Sequence, residues 1–212
     1  MDADLNEKLE GIRRGEVILL NLSQKKLGVE GVKSLSAALM NENNKVTVLK
    51  LSWNHIGDDG AQSLSTALMN ENNKVIKLDF SLNNFGVEGV TSLSAALINE
   101  NNKLTTLDLT RNGIGNDGVR FLSSALMNEN NKVNKLDLSE NNIGVDGMRS
   151  LSAVLMNENN KLIALRLLKI KIGDDGVKYL STALMNKNNK VTDLNLRRIT
   201  LEAMEPILYL WH

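Results

Sequence analysis

Few residues of this chain could do acid–base or nucleophilic chemistry. The chain has 212 residues, no cysteine and two histidines, His55 and His212. Nucleophilic hydrolysis needs a nucleophile, a base and a group that orients the base, and no serine can be combined with either histidine in such an arrangement. His55 is therefore interpreted as a surface contact residue and not as a catalyst. The sequence predicts that the chain is not an enzyme.

Three aspartates, Asp79, Asp108 and Asp137, recur at one position of an internal repeat. Carboxylates suit hard divalent cations, but side chains on neighbouring parallel strands converge poorly on one point, and the ligand spacing of an EF-hand loop is missing. The glycines of segment 56–60 (IGDDG) are not followed by the lysine–threonine pair of a phosphate-binding loop. We therefore predict neither a metal nor a cofactor.

A repeat of 29 residues positions these side chains. The segment KVTVLKLSWNHIGDDGAQSLSTALMNENN, residues 45–73, recurs at constant spacing without insertions. The copies begin at Glu16, Lys45, Lys74, Lys103, Lys132, Lys161 and Lys190, and the last copy is shortened. Self-similarity at such a period is typical of a solenoid.

Each copy combines two hydrophobic periods in a fixed order. Leu49 and Leu51 alternate with polar residues, which indicates a short strand, whereas Leu64, Ala67 and Leu68 have the spacing of an amphipathic helix. One strand and one helix cannot bury their own apolar faces, but parallel stacking of neighbouring copies does so. The sequence predicts an α/β solenoid shaped as a horseshoe arc, with a parallel sheet on the concave face and helices on the convex face.

The links between strand and helix carry asparagine, glycine and acidic residues. Inward-facing asparagine amides are expected to pair with backbone groups of adjacent turns that no strand ladder satisfies. These asparagines are Asn54, Asn83, Asn112 and Asn141. Acidic residues are expected to cap the helices and to interact favourably with their dipoles. They are Glu30, Asp59, Glu88, Asp117, Asp146 and Asp175.

The repeat pattern LxxLxLxxNxIGxxGxxxLxxALxxNxx resembles the leucine-rich repeat of the ribonuclease-inhibitor type. The resemblance covers about residues 16 to 202. The same class forms the sensing arrays of NOD-like receptors and the body of Ran GTPase-activating proteins, so it implies a horseshoe that binds another macromolecule. The asparagine-rich, lysine-rich and nearly identical copies are also similar to leucine-rich effectors that intracellular bacteria deliver into host cells.

The ends depart from the repeat and are predicted to cap it. We expect a single domain, with a cap helix in residues 1–15, repeats in 16–200 and a second cap in 201–212. Leu5, Leu9 and Ile12 share one face of the first helix. Tyr209 and Trp211 are interpreted as part of the second cap, with a small adhesive patch as the alternative.

Two isoleucines, Ile170 and Ile199, replace the asparagine near the C-terminal end. One interpretation is that end repeats have fewer neighbours to satisfy. The alternative is that residues 166–172 (RLLKIKI) are shaped for a partner.

The variable positions indicate which face binds. The helix and its exit barely change between copies, whereas the residues beside and after the alternating leucines change greatly. The predicted partner-binding residues are Lys50, Trp53, His55, Asp79, Leu82, Asp108, Arg111, Asp137, Glu140, Arg166, Lys169 and Arg198. They grade from apolar through acidic to basic along the array, which would orient a partner. The alternative is a concave face that is only solvated.

Composition and charge narrow the partner and the compartment. Lysine plus arginine balance aspartate plus glutamate at 25 each, so we predict no nucleic acid and no membrane partner. The lack of cysteine favours a reducing compartment, and no apolar stretch typical of a signal peptide occurs near Met1. We expect a cytoplasmic monomer, in the host cytoplasm if the chain is a delivered effector.

The predicted function is a protein–protein interaction module, with two alternatives. In the first, the chain regulates a small GTPase, and Arg111, Arg166 or Arg198 reaches the nucleotide. In the second, it forms a structural array that associates weakly through the end containing Trp211.

Overall fold

The computed structural model describes residues 3–200, in which seven helices and seven strands alternate. The helices are α1 (Ala3–Arg13), α2 (Gly28–Leu39), α3 (Gly57–Leu68), α4 (Val87–Leu97), α5 (Asn116–Leu126), α6 (Val145–Met156) and α7 (Gly173–Leu184). The strands are β1 (Leu19–Asn21), β2 (Val48–Lys50), β3 (Lys77–Asp79), β4 (Thr106–Asp108), β5 (Lys135–Asp137), β6 (Ala164–Arg166) and β7 (Asp193–Asn195).

The strands form one open parallel sheet in chain order, β1 to β7. Each residue pairs with the residue 29 positions later, as in Leu20 with Leu49 and Leu49 with Leu78. The register therefore equals the sequence repeat, and the predicted α/β solenoid is confirmed.

The core lies between the sheet and the helices and runs through every repeat. Leu49 and Leu51 are fully buried from the strand side, and Leu64, Ala67 and Leu68 meet them from α3. Burying a leucine side chain contributes about 2 kcal/mol, so each repeat adds several such contributions when it stacks on its neighbour. This explains why one repeat cannot stand alone.

The asparagine after each strand faces inward, as expected. The Asn54 amide nitrogen donates to the carbonyl oxygens of Leu22, at 2.8 Å, and Leu51, at 2.9 Å. Its amide oxygen accepts from the backbone of Lys25, and the backbone of Asn54 donates to Asn83 Oδ1 at 3.0 Å. Asn54 thus joins its repeat to both neighbours. Ile170 occupies the same position and is fully buried.

The nearly constant helix exit (NENNK) is explained by backbone hydrogen bonds. The Asn72 amide donates to the carbonyl oxygen of Met40 in the preceding repeat at 2.9 Å, and Asn73 donates to Leu68 at the end of its own helix at 2.9 Å. Lys103 Nζ donates to the carbonyl oxygen of Asn73 at 2.6 Å. Because these side chains satisfy otherwise orphaned groups, their constancy is structural.

The expectation that the acidic residues of the first turn cap their own helices is wrong. Four of these six acids instead pair with a base three residues later, as Asp175 does with Lys178 at 2.7 Å. The capping side chain comes from the preceding repeat in two helices, α4 and α6. Asp58 Oδ1 accepts from the backbone N–H groups of Gly86 and Gly89, both at 2.8 Å.

Helix α1 lies against α2 and buries Leu5, Leu9 and Ile12. The predicted C-terminal cap, 201–212, lies outside the described residues. Within residues 3–200, no helix has the length and apolar character needed to cross a membrane.

Candidate interaction surface

Two rows of side chains leave the sheet on the face opposite the core, because each three-residue strand buries its middle residue. The first strand row consists of Leu19, Val48, Lys77, Thr106, Lys135, Ala164 and Asp193. The second strand row consists of Asn21, Lys50, Asp79, Asp108, Asp137, Arg166 and Asn195.

None of the residues of the first strand row was among the predicted partner-binding residues. The signal was present, since Val48 precedes Leu49 in the same alternation that placed Lys50 on the open face. Leu19 and Val48 extend the apolar end of this face, and Leu19 is 57% exposed.

A third row lies beyond the strand ends and is named the turn row. It consists of Gln24, Trp53, Leu82, Arg111, Glu140, Lys169 and Arg198. From the sequence, these residues were expected to continue the surface formed by the strands. The structure instead places each of them in a left-handed turn, with φ between 53° and 61°. Their backbones still extend the ladder, as in the hydrogen bond from the Trp53 N–H to the carbonyl oxygen of Ser81 at 3.1 Å.

The turn row consists of residue types that seldom adopt a left-handed backbone conformation. A left-handed residue other than glycine costs about 1 kcal/mol, and asparagine or aspartate tolerates the conformation best among the others. None of the seven turn-row residues is glycine, asparagine or aspartate. At the next left-handed position of the repeats, Lys26, His55, Asn84 and Gly113 occur, so that asparagine and glycine are found there beside longer side chains. Folding alone would therefore favour other residues in the turn row, and long side chains stand there at a cost in stability.

The centre of the turn row is held by ion pairs. Glu140 Oε2 lies 2.6 Å from a guanidinium nitrogen of Arg111 and 3.2 Å from Lys169 Nζ. Hydrogen bonds from Arg111 and Lys169 lower the pKa of Glu140. Since one carboxylate serves two bases, this trio has an excess of positive charge.

The predicted acidic stripe lies in the second strand row. Asp79, Asp108 and Asp137 are direct partners on successive strands. Burial raises the pKa of Asp108, and the like charges of Asp137 and Asp79 add to the shift, while hydrogen bonds from Thr110 oppose it. Each carboxylate also accepts from the backbone two residues later, as Asp108 does from the Thr110 N–H at 2.9 Å. The carboxylates of the stripe therefore also serve as hydrogen-bond acceptors for the backbone of the following turns.

Two depressions gather predicted residues. One, of about 180 Å³, lies over the small side chain of Ala164 and brings together Asp108, Asp137 and Arg166. The other, of about 250 Å³, is lined by Trp53, His55, Gln24 and Lys26. Trp53 is 53% exposed.

The remaining predicted residues fall into separate parts of the surface. Lys50 is exposed in the second strand row, and Arg198 is exposed in the turn row. Leu82, which was expected beside Trp53, is half-buried and does not line the tryptophan depression. Its backbone donates onward to the carbonyl oxygen of Thr110. The twelve predicted residues thus form a graded strip and not one pocket.

The family comparison agrees with this geometry. A family model described as "Leucine Rich repeat" matches residues 42–65, 71–94, 100–123 and 129–152. These four matches of 24 residues each, together with a parallel sheet in 29-residue register, identify the fold as a leucine-rich-repeat solenoid. The ribonuclease-inhibitor subtype remains a prediction.

Among solved structures, one that is similar to this chain is titled "Crystal structure of TLR13-ssRNA13 complex". The identity is 16%, the TM-score is 0.31, and the match covers 91% of this chain and 34% of that chain. The chain thus spans about a third of the length of that protein, and a likeness at this level says nothing of what this chain binds. None of the curated proteins matches the sequence.

Proposed function

We propose that this chain is a protein-binding module whose concave strand rows and turn row contact a macromolecular partner. The observation that carries the proposal is the turn row, where long side chains occupy successive left-handed positions at a cost in folding energy. The repeat imposes this backbone conformation but does not require long side chains in it, and residues held in such conformations cluster at functional sites. Leucine-rich-repeat arrays in general supply extended concave binding surfaces.

The surface is large enough for a specific interface. Seven strands at about 4.8 Å spacing give an arc of roughly 30 Å. An interface of standard size buries roughly 800 Å² of each partner, which such an arc can supply. Trp53 at the apolar end has the character of a binding hot spot, because tryptophan contributes strongly when a partner desolvates it.

The proposed partner is a protein and not a nucleic acid. A nucleic acid presents a continuous line of negative charge, and Asp79, Asp108 and Asp137 interrupt the concave face with like charge. Of the seven basic residues in the three rows, Arg166, Lys169 and Arg198 lie at the C-terminal end, and the other four are distributed from β2 to β5 beside the aspartates.

The proposed role is non-catalytic. Within residues 3–200, no hydrogen bond joins His55 to a serine or to a carboxylate, and the residue shares its depression with Trp53, Gln24 and Lys26. In the GTPase-regulator alternative, an arginine must be free to reach a nucleotide; Arg111 is bound to Glu140, which leaves Arg166 and Arg198 for that role. Absence of any acceleration of GTP hydrolysis by small GTPases would remove that alternative.

The composition of the repeats supports a second part of the proposal, namely action in a eukaryotic cytoplasm as a delivered bacterial effector. The test is affinity capture from eukaryotic cytosolic lysate with the full chain as bait. The comparison variant is Trp53→Ala/Asp108→Arg/Asp137→Arg, checked to be folded by circular dichroism.

A matched control carries the same chemical changes on the convex side: Tyr179→Ala/Asp117→Arg/Asp146→Arg. All three side chains are exposed there. We expect one protein to be retained by the native chain and by the convex control but lost with the concave variant. If the concave variant retains the same protein, the proposed binding face is wrong.

A further inference from the structure

We propose, building on the function above, that the partner presents a polypeptide segment with an apolar side chain and an acidic cluster about 19 Å apart. The apolar side chain packs on Trp53, and the acidic cluster faces Arg166, Lys169 and Lys171. The three aspartates between these two ends select against a partner that is acidic throughout.

The apolar end is defined by an exposed aromatic ring beside a depression. Trp53 is 53% exposed, and its 250 Å³ depression has a polar rim formed by His55, Gln24 and Lys26. An apolar anchor surrounded by polar groups that exclude water is the usual arrangement of a hot spot. An incoming aliphatic or aromatic side chain fits this end best.

The basic end is defined by three exposed cations on β6 and its turn. Arg166 and Lys171 make no ion pair within residues 3–200, while Lys169 shares Glu140 with Arg111. Ile170, between the two lysines, is fully buried, so the alternation sends Lys169 and Lys171 to the surface. This end therefore has positive charge available for a partner carboxylate.

The aspartate stripe lies between the two ends and decides the class of partner. A chain of evenly spaced phosphates that reached the basic end along the arc would also cross Asp79, Asp108 and Asp137, where like charges repel. The three carboxylates are direct partners on adjacent strands and already repel one another, so further negative charge there is unfavourable. A polypeptide avoids the conflict, because its acidic residues can be confined to one end.

The distance between the ends follows from the sheet. Trp53 follows β2 and Lys169 follows β6, four steps apart in strand order. At about 4.8 Å a step the separation is about 19 Å, which an extended peptide spans with about six residues. Two extended residues span only about 7 Å, less than half of this separation.

The test uses the full chain and fluorescein-labelled synthetic peptides, measured by fluorescence anisotropy. Each peptide carries a Leu-Trp anchor and two glutamates, separated by two or by six Gly/Ser residues, in both chain directions, so that the far glutamate of the shorter peptide lies only about 13 Å from the nearer anchor residue. We expect the six-residue spacer in one direction to bind at least about tenfold more tightly than the two-residue spacer, since the shorter peptide can use only one end.

Two charge-reversal variants separate the concave face from general electrostatics. Arg166→Glu/Lys171→Glu is expected to weaken binding of the peptide with the six-residue spacer by about tenfold or more and to prefer the same peptide with two lysines in place of the two glutamates. The convex control Arg120→Glu/Arg149→Glu, which makes the same change of net charge, is expected to bind like the native chain. Trp53→Ala should weaken binding, and Tyr179→Ala should not.

Several results would overturn the inference: equal binding of both spacers, equal loss in the concave and convex variants, no binding of any peptide, or displacement of the peptide by single-stranded RNA at lower concentration than by unlabelled peptide. The proposed function would survive each of these outcomes if lysate capture still depended on the concave face. It would fail separately if capture were insensitive to the concave variant.

Discussion

At the scale of single residues, the left-handed backbone of the turn row has a measurable cost. Trp53 has φ of 58° and a mostly exposed side chain, so its replacement removes little packing. We expect Trp53→Gly to be more stable to urea than Trp53→Ala by about 1 kcal/mol, because glycine adopts this conformation without the Cβ penalty. Both variants should lose partner binding equally. Higher stability of the alanine variant would contradict the strain on which the proposed surface depends.

The raised pKa of Asp108 predicts a pH dependence of stability. A carboxyl with a higher pKa in the folded than in the unfolded chain favours folding in its protonated form. Its contribution is therefore lost as pH rises from the ordinary value of 3.8 through the folded value. Asp108→Asn should unfold at a urea concentration equal to or above that of the native chain at neutral pH. Between about pH 3 and pH 7 its stability should fall less than that of the native chain.

The native chain already has an asparagine in the row of Asp108, and Asp108→Ala can be compared with Asp108→Asn. Asn21 occupies the same row and accepts from the Ser23 N–H at 3.0 Å, so asparagine preserves the backbone contact. Asp108→Ala removes the acceptor for Thr110 and is expected to be less stable than Asp108→Asn. A native-like pH profile in the asparagine variant would show that the stripe carries no electrostatic cost.

At the scale of elements, five helices each bury one hydroxyl that has no hydrogen-bond partner among residues 3–200. These are the Oγ atoms of Ser36, Ser65, Ser94, Ser123 and Ser152. Burying an unpaired hydroxyl costs about 1–3 kcal/mol. We expect Ser65→Ala to raise the free energy of unfolding by about 1 kcal/mol, measured by urea titration. The control is Ser63→Ala on the same helix, whose hydroxyl donates to the carbonyl oxygen of Asp59 at 3.0 Å. A loss of stability in Ser65→Ala greater than in Ser63→Ala would contradict this.

The start of α4 depends on a side chain of the previous repeat. Asp58→Ala removes the carboxylate that accepts from Gly86 and Gly89, and losing such a cap costs about 1 kcal/mol. We expect faster amide hydrogen exchange in the first turn of α4, a repeat away from the substitution. Asp59→Ala, an exposed neighbour, should leave α4 unchanged. Faster exchange confined to α3 would show that Asp58 acts only on its own helix.

The elements that were predictable are those in which the side-chain period sets the structure. The alternation of Leu49 and Leu51 and the helical spacing of Leu64 and Leu68 fix strand, helix and register, because only one stacking buries both. The cap from Asp58 was not predictable from local signals, since the N–H groups that donate to its carboxylate lie 28 and 31 residues away. The left-handed conformation of the turn row was missed for a related reason: residues such as Trp53 carry no local preference for a positive φ, and the repeat as a whole imposes it.

At the scale of the whole molecule, each repeat contacts only its neighbours, so the ends decide where unfolding begins. Within residues 3–200, the helix contacts run in chain order from α1–α2 to α6–α7. Removing an end therefore exposes the apolar face of the next repeat. Loss of an end is therefore expected to lower stability and also to promote self-association of the chain, because an uncovered repeat face is complementary to other repeats of the same type.

The N-terminal helix offers the sharpest test of this end effect. Leu5→Asp/Leu9→Asp puts charges where α1 buries leucines, and we expect α1 to detach and the free energy of unfolding to fall by about 3 kcal/mol or more. Light scattering should then show self-association, because the α2 face loses its cover. Asn6→Asp/Glu10→Asp alters exposed residues of the same helix and should stay native-like. If the leucine variant keeps its urea midpoint and its monomeric mass, α1 does not cap the array, and the first repeat must be stable with its outer face open.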